Sequence, residues 1–192
     1  HSNGATFNGP VTADTAVVLS NTSAGQTIRF ANNLSTATLT TTGNGYHVAL
    51  VGDSTHVSGA TTFLNTGSVT LGNAAADSLA FDGGLVATAP SGLSVGGTVS
   101  TTNTAMTLGD SNTALVLNDH VTLNTAGGAL SLDGAINGTA INTQSLTLNA
   151  GAAGAVSVTG AIGQSTSLNT LTLTHSNGAT FNGPVTADTA VV

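Results

Sequence analysis

The sequence of 192 residues contains no cysteine, lysine, glutamate or tryptophan, and its only arginine is Arg29. Without cysteine there is no disulfide and no thiolate metal site. Without lysine there is no isopeptide crosslink, no Schiff base and no phosphate-binding P-loop. Because one arginine cannot neutralise a phosphate backbone, the composition argues against nucleic acid as a partner.

Charge and long apolar runs are also scarce. Charged residues make up 5% of the chain, all eight acidic residues are aspartate, and the formal net charge is −7. No apolar run approaches the ~18 residues of a membrane span, so we expect no membrane insertion. The 40% apolar content indicates a packed structure. Since Gly, Asn, Thr and Val are abundant and helix-forming charged residues are nearly absent, the composition predicts an all-β fold.

One segment of eighteen residues occurs twice without a change. HSNGATFNGPVTADTAVV covers residues 1–18 and again residues 175–192, at an offset of 174 residues. A match of this length predicts a tandem array in which residues 1–174 form one full repeat and residues 175–192 begin the next identical one. No proline-rich or charged linker separates the two copies, which favours a continuous structure.

Short alternations of apolar and polar residues, such as those at 146–148 and 156–158, are typical of β-strands. Several continue into a five-residue pattern, apolar–any–Gly–any–apolar, which we call the corner motif. By strand parity its glycine points inward, and glycine suits a corner that lacks room for a side chain or needs a positive φ. The corner-motif residues are Phe7, Gly9 and Val11; Phe81, Gly83 and Leu85; Val95, Gly97 and Val99; Leu132, Gly134 and Ile136; Val158, Gly160 and Ile162; and Phe181, Gly183 and Val185.

Two all-β architectures fit short strands separated by turns. A right-handed parallel β-helix, or β-solenoid, needs only that each coil lies on the previous one, which suits a periodic chain without linkers. Coils of roughly 20–25 residues give about eight coils per repeat and an advance of roughly 40 Å. The alternative is an antiparallel β-sandwich repeat, which requires closed domains with distinct ends. We predict the β-helix.

Two longer phrases carry a family resemblance. SVTLGNAAADSLAFDGGLVATAP at 68–90 and QSLTLNAGAAGAVSVTGAIG at 144–163 resemble the repeats of very large secreted bacterial surface proteins, the filamentous-haemagglutinin-like and β-strand-repeat adhesins. The likeness covers nearly the whole chain and lies in its texture, without a diagnostic motif. It implies a parallel β-helix, export to the cell surface, and a role in adhesion, filaments, sheaths or biofilm matrix.

The histidines and aspartates offer little chemistry. His47 and His56 flank Asp53, but the two histidines lie nine positions apart, which matches no metal-ligand spacing, so we expect isolated surface histidines and no metal site. Asp82 and Asp133 precede the glycine of their corner motifs, where other copies carry Asn, Gly or Thr, which indicates a turn position. With a single arginine and scattered aspartates, paired-carboxylate catalysis lacks its partners. We therefore predict no enzymatic activity, no catalytic residue and no cofactor.

These observations predict a structural role. The chain is interpreted as a segment of a long extracellular fibre, sheath or adhesin shaft, whose partners are neighbouring identical repeats stacked end to end; lateral bundling is left open. The alternative is a bead-like β module that recognises glycan or protein at the cell surface. An unbroken rod favours the shaft, whereas separate globules favour the module.

Overall fold

The computed structural model describes residues 2–191, and among them it contains twenty β-strands and no helix. The described residues therefore include no helix that could cross a membrane. In chain order the strands are β1 (Ala5–Phe7), β2 (Val11–Leu19), β3 (Thr27–Phe30), β4 (Leu34–Thr41), β5 (His47–Leu50), β6 (Ser54–Val57), β7 (Thr61–Thr62), β8 (Val69–Leu71), β9 (Ser78–Phe81), β10 (Leu85–Ala87), β11 (Leu93–Ser100), β12 (Met106–Leu108), β13 (Leu115–Asn124), β14 (Leu130–Leu132), β15 (Ile136–Gly138), β16 (Ser145–Asn149), β17 (Val156–Val158), β18 (Leu168–His175), β19 (Ala179–Phe181) and β20 (Ala187–Val191).

The strands form three parallel columns, which we call sides 1, 2 and 3 in the order in which the chain visits them. Side 1 contains β1, β3, β5, β8, the first parts of β11 and β13, and β15. Side 2 contains the first parts of β2 and β4, then β6, β9, the second parts of β11 and β13, β16, β18 and β20. Side 3 contains the second parts of β2 and β4, then β7, β10, β12, β14, β17 and β19.

The predicted parallel β-helix is confirmed. Every named strand pair in the described part of the chain is parallel, and the strands stack in a solenoid of about eight turns. Side 1 continues past β15 through two isolated bridges, in which Ile136 pairs with Ile162 and Ile162 with Val185. The antiparallel sandwich is wrong, because it would require neighbouring strands to run in opposite directions.

The core follows from the alternation in each strand. In β8, Val69 and Leu71 point inward and are buried, while Thr70 between them is partly exposed. Val69 lies in register between Val48 of the preceding coil and Leu93 of the following coil. Columns of this kind fill the interior, and each buried side chain contributes about 1.5–3 kcal/mol before conformational entropy is subtracted.

The coils differ in length, and their corners absorb the difference. Leu168 pairs with Ala187, 19 positions later, whereas Leu130 pairs with Val156, 26 positions later. At the corner between sides 1 and 2, β8 and β9 are joined by the loop at 72–77, but the next coil turns within β11 at Gly97, where the register shifts. Strand register is thus preserved while loops of unequal length stay outside the core.

Candidate functional site

The candidate functional surface of this molecule is the stacking surface between coils, and the corner motifs lie on it at all three corners. The motifs of Gly134, Gly160 and Gly183 follow one another at the corner between sides 3 and 1. The motif of Gly97 turns from side 1 to side 2, and that of Gly83 from side 2 to side 3. The structure therefore brings three of the six motifs into one column and separates the others.

Five of the six corner glycines, all except Gly9, are required because the preceding coil leaves no room for a side chain. A Cβ at Gly134 would overlap the carbonyl oxygen of Thr113, and one at Gly160 would overlap the carbonyl oxygen of Gly134. A Cβ at Gly183 would come within 2.5 Å of the Gly160 oxygen. The crowding runs along the solenoid axis rather than toward the interior. Of the six motif glycines only Gly97 has a positive φ, of 79°. Lack of space for a side chain is therefore the common reason for glycine at the crowded corners, and backbone conformation is a further reason at Gly97 alone.

The apolar members of the motifs differ in burial with their place along the axis. In the middle coils they are fully enclosed, and these residues are Phe81, Leu85, Val95, Val99, Leu132, Ile136, Val158 and Ile162. Near the ends, Phe7 is 40% exposed and Val185 is 41% exposed. Val11 and Phe181 are half-buried and pack against the core. Exposure at these four positions follows from the lack of a coil on one side within the described residues.

A polar contact links three successive coils on the outside of the corner between sides 2 and 3. His56 Nε2 lies 2.8 Å from Asp82 Oδ2 of the next coil, and Thr102 Oγ1 of the coil after that donates to Asp82 Oδ1 at 2.9 Å. The hydrogen bonds from His56 and Thr102 lower the pKa of Asp82. Asp82 thus ties coils together as well as preceding a corner glycine, a role that its turn-like position in the sequence did not indicate.

A second aspartate reaches across a whole coil. Asp119 Oδ2 accepts a hydrogen bond of 3.0 Å from the backbone N–H of Ala75, 44 residues earlier. The coil between them turns at Gly96 and Gly97, which have no side chain to fill the corner. The N–H groups of His120 and then Ala75 lower the pKa of Asp119. The segment at 117–121 resembles a corner motif with Asp119 in place of the glycine. At this position the carboxylate makes a contact with Ala75 that a glycine could not make.

The interior also contains polar residues that the alternation did not reveal. The hydroxyl of Tyr46, which is fully buried, donates to the Leu19 carbonyl oxygen at 2.6 Å and accepts from the Thr42 N–H at 2.9 Å. Buried Asn65 donates to the carbonyl oxygen of Tyr46 at 3.1 Å. Their contacts join successive coils where side 3 meets side 1. No repeated spacing marks either residue in the sequence, so only the coil register shows their role.

The histidines do not assemble into a site with Asp53. His47 Nδ1 accepts a hydrogen bond of 2.8 Å from the Ser68 N–H, and His56 contacts Asp82 instead of Asp53. His120 Nδ1 accepts from the Ser145 N–H at 3.2 Å. Within residues 2–191 no group of three or more His or Asp side chains is arranged to hold a metal ion, and no enclosed pocket is present. What the described residues do show is contacts between coils and open strand edges.

The two outer coils carry these strand edges. Among the described residues, β1 and β2 pair only with the following coil, and β19 and β20 pair only with the preceding one.

Comparison with known proteins adds no relative: no protein-family model, curated protein or solved structure matches the chain. The evidence for what this surface does therefore lies in the contacts of its own residues.

Proposed function

We propose that this chain is a repeat-length segment of a long β-solenoid shaft, built into a fibre, sheath or adhesin outside the cell. The observation that carries the proposal is the uninterrupted parallel stacking of coils, from β1 to β20, in a chain that contains the same eighteen residues 174 positions apart. A solenoid of this kind lengthens by adding coils, because each coil contacts only its neighbours.

The contacts between coils suit a mechanical role without chemistry of its own. Backbone hydrogen bonds between coils run along the axis, so a pull along the shaft loads many of them together. The interior is filled by columns of Val, Leu, Ile and Phe, as at Val48, Val69 and Leu93. Side chains outside the corners, such as Asp82 and Asp119, add contacts that cross from coil to coil.

The position outside the cell and the adhesin role rest on the texture of the sequence. The phrases at 68–90 and 144–163 resemble repeats of secreted bacterial surface proteins. A near absence of lysine and arginine is consistent with exposure to proteases, because trypsin has a single site, at Arg29 within β3. Strand β3 pairs with β1 on one edge and β5 on the other, which we expect to slow cleavage there.

Electron microscopy of a chain that carries several repeats tests the proposal. We expect an unbroken rod with an axial spacing of about 4.8 Å between coils. Globules joined by flexible links would overturn the shaft and support the bead-like binding module. As a second measurement, we expect the 192-residue chain to associate end to end as its concentration rises, because within residues 2–191 each outer strand pairs along one edge only. A strictly monomeric chain at high concentration would contradict the open-ended shaft.

A further inference from the structure

The two identical eighteen-residue segments lie on different sides of the solenoid. Ala5–Phe7 forms β1 on side 1, whereas the same residues at Ala179–Phe181 form β19 on side 3. Val11 begins β2 on side 2, but its counterpart Val185 bridges to Ile162 on side 1. The second copy is therefore displaced by one side relative to the first.

The two copies pair along opposite edges of the same strand, the first with the following coil and the second with the preceding coil. Phe7 pairs with Phe30 of the following coil, and their rings stack with centroids 4.8 Å apart. Its counterpart Phe181 pairs with Val158 of the preceding coil. Both pairs are 23 residues apart in the chain. Because the partners lie on opposite edges of the strand, a single copy can hold both of them at once.

The glycine of this segment gives the same result. Gly9 has no atom within 4 Å of where a Cβ would stand, since no coil precedes it among the described residues. At Gly183 the same position lies 2.5 Å from the carbonyl oxygen of Gly160. The segment thus has glycine at a position where a preceding coil leaves no room for a side chain, although in the first copy no described coil lies against that glycine. Its two environments fit together as the two faces of a junction between repeats.

We infer that one 174-residue repeat advances the solenoid by seven and two-thirds coils, so that each repeat enters the array rotated by one side relative to the repeat before it. From β1 to the strand before β19 the chain crosses side 1 eight times, side 2 eight times and side 3 seven times. The partner that covers the open edge of β1 is therefore side 3 of another copy of this chain, represented by β17. The inference rests on the proposed shaft and specifies its geometry.

The displacement changes how the surface of the array is arranged. At about 4.8 Å per coil, each repeat advances about 37 Å and turns its surface by about a third of a revolution, in addition to the twist between coils. A given side chain returns to the same side only after three repeats, about 110 Å along the axis. Ile141, which is 73% exposed in the loop between β15 and β16, would face three directions in turn. Lateral contacts through it would then surround the shaft instead of lining one face.

Disulfide trapping in the 192-residue chain tests where the second copy lies. The chain has no cysteine, so an introduced pair is the only source of thiols. Ser157 and Thr180 are partners on side 3, and Thr170 and Thr189 are partners on side 2. Neighbouring parallel strands place partner Cα atoms about 4.8 Å apart, within the range that a disulfide spans. We expect Ser157→Cys/Thr180→Cys and Thr170→Cys/Thr189→Cys to cross-link under a mild oxidant to more than about half of the chain.

The control pair is Ser131→Cys/Ser157→Cys, which joins two partners on side 3 that do not belong to the repeated segment. If the control pair cross-links and neither pair of the second copy does, the displacement is overturned. If the control pair also fails to cross-link, the strands of side 3 are not paired as described, and the displacement is overturned as well. Cross-linking of all three pairs supports it.

Cryo-electron microscopy of a chain of three repeats measures the rotation itself. We expect features such as the loop at 139–144 to turn by about a third of a revolution per repeat, apart from the coil twist. A rod in which that loop returns to the same side in every repeat overturns the displacement but leaves the shaft in place. Separate globules instead overturn the shaft, so the two failures are distinguishable.

Discussion

Two corner motifs that begin with the same residue type have different surroundings. Phe81, Gly83 and Leu85 lie in the middle of the solenoid, and Phe81 is 0% exposed. Phe7, Gly9 and Val11 lie in the first coil, and Phe7 is 40% exposed. A Cβ at Gly83 would overlap the backbone nitrogen of Ala60, whereas one at Gly9 would meet nothing within 4 Å. Burial and steric demand at a motif therefore come from the coils above and below it, not from the motif.

The largest expected difference between the two motifs is at their phenylalanines. Phe81→Ala removes a ring whose centroid lies 6.4 Å from the centroid of the Phe63 ring. We expect this change to lower the free energy of unfolding by about 3–5 kcal/mol. Phe7→Ala, its matched control, should cost only about 1–2 kcal/mol because part of the ring is already in water. Urea unfolding of the two variants beside the parent chain provides the comparison; equal losses would show that the first coil is as enclosed as the middle.

Adding a second repeat should remove the difference between the end and the middle. In a chain of two full repeats, Phe181 gains a following coil in addition to Val158 of the preceding one. We expect Phe181→Ala to cost about 3 kcal/mol there, and clearly less in the 192-residue chain. Phe7→Ala in the first repeat is the control and should keep its small effect in both chains. Unfolding followed by circular dichroism measures each loss, and an unchanged effect at Phe181 would contradict continuous stacking.

The glycines should differ by a smaller amount. Gly83→Ala forces a methyl group against the backbone of the preceding coil, and we expect a loss of about 1–3 kcal/mol. Gly9→Ala places the methyl group in open space and should change stability by less than about 0.5 kcal/mol. Thermal unfolding of the two variants checks this. If Gly9→Ala proves as costly as Gly83→Ala, another copy already covers the first coil in solution.

The smallest expected effect is that of the acidic residue in the middle motif. Hydrogen bonds from His56 and Thr102 lower the pKa of Asp82, so its stabilising contribution is present above its ordinary pKa of about 4. That contribution is lost as the pH falls through the lowered pKa. Asp82→Asn, which reproduces the Asn8 of the first motif, should cost a few tenths of a kcal/mol at neutral pH because the carboxylate is partly exposed.

A pH series of unfolding experiments tests this contribution. The stability of the parent chain and that of Asp82→Asn should converge below pH 4. Asp14→Asn, which removes an exposed carboxylate from the first coil, controls for the change in net charge. A gap between the parent and Asp82→Asn that stays constant down to low pH would argue against the charged hydrogen bonds.

Much of the fold could be predicted from local patterns. Alternation at 69–71 and 156–158 marked strands, and buried residues such as Val69 and Val158 lie on the apolar side of that alternation. The absence of linkers favoured parallel coils over a sandwich. The direction of crowding at the glycines was not predictable, because Gly134 meets Thr113, a residue 21 positions away that belongs to no motif. The contacts of Asp82 and Asp119 were hidden for the same reason, since loops of unequal length determine which corners align.

By itself, the amino-acid sequence determined that this protein is all-β, that its apolar residues face one way along each strand, and that one segment of eighteen residues recurs at an offset of 174 residues. These properties depend on residues close together in the chain or on direct repetition. Only the tertiary structure decided which coil covers which strand, where each corner glycine is crowded, and that the repeated segment returns one side away from where it began. Those properties depend on how many times the chain crosses each side and on which residues each loop places at a corner. Because loops of unequal length are accommodated outside the core, neither can be calculated from spacing along the chain.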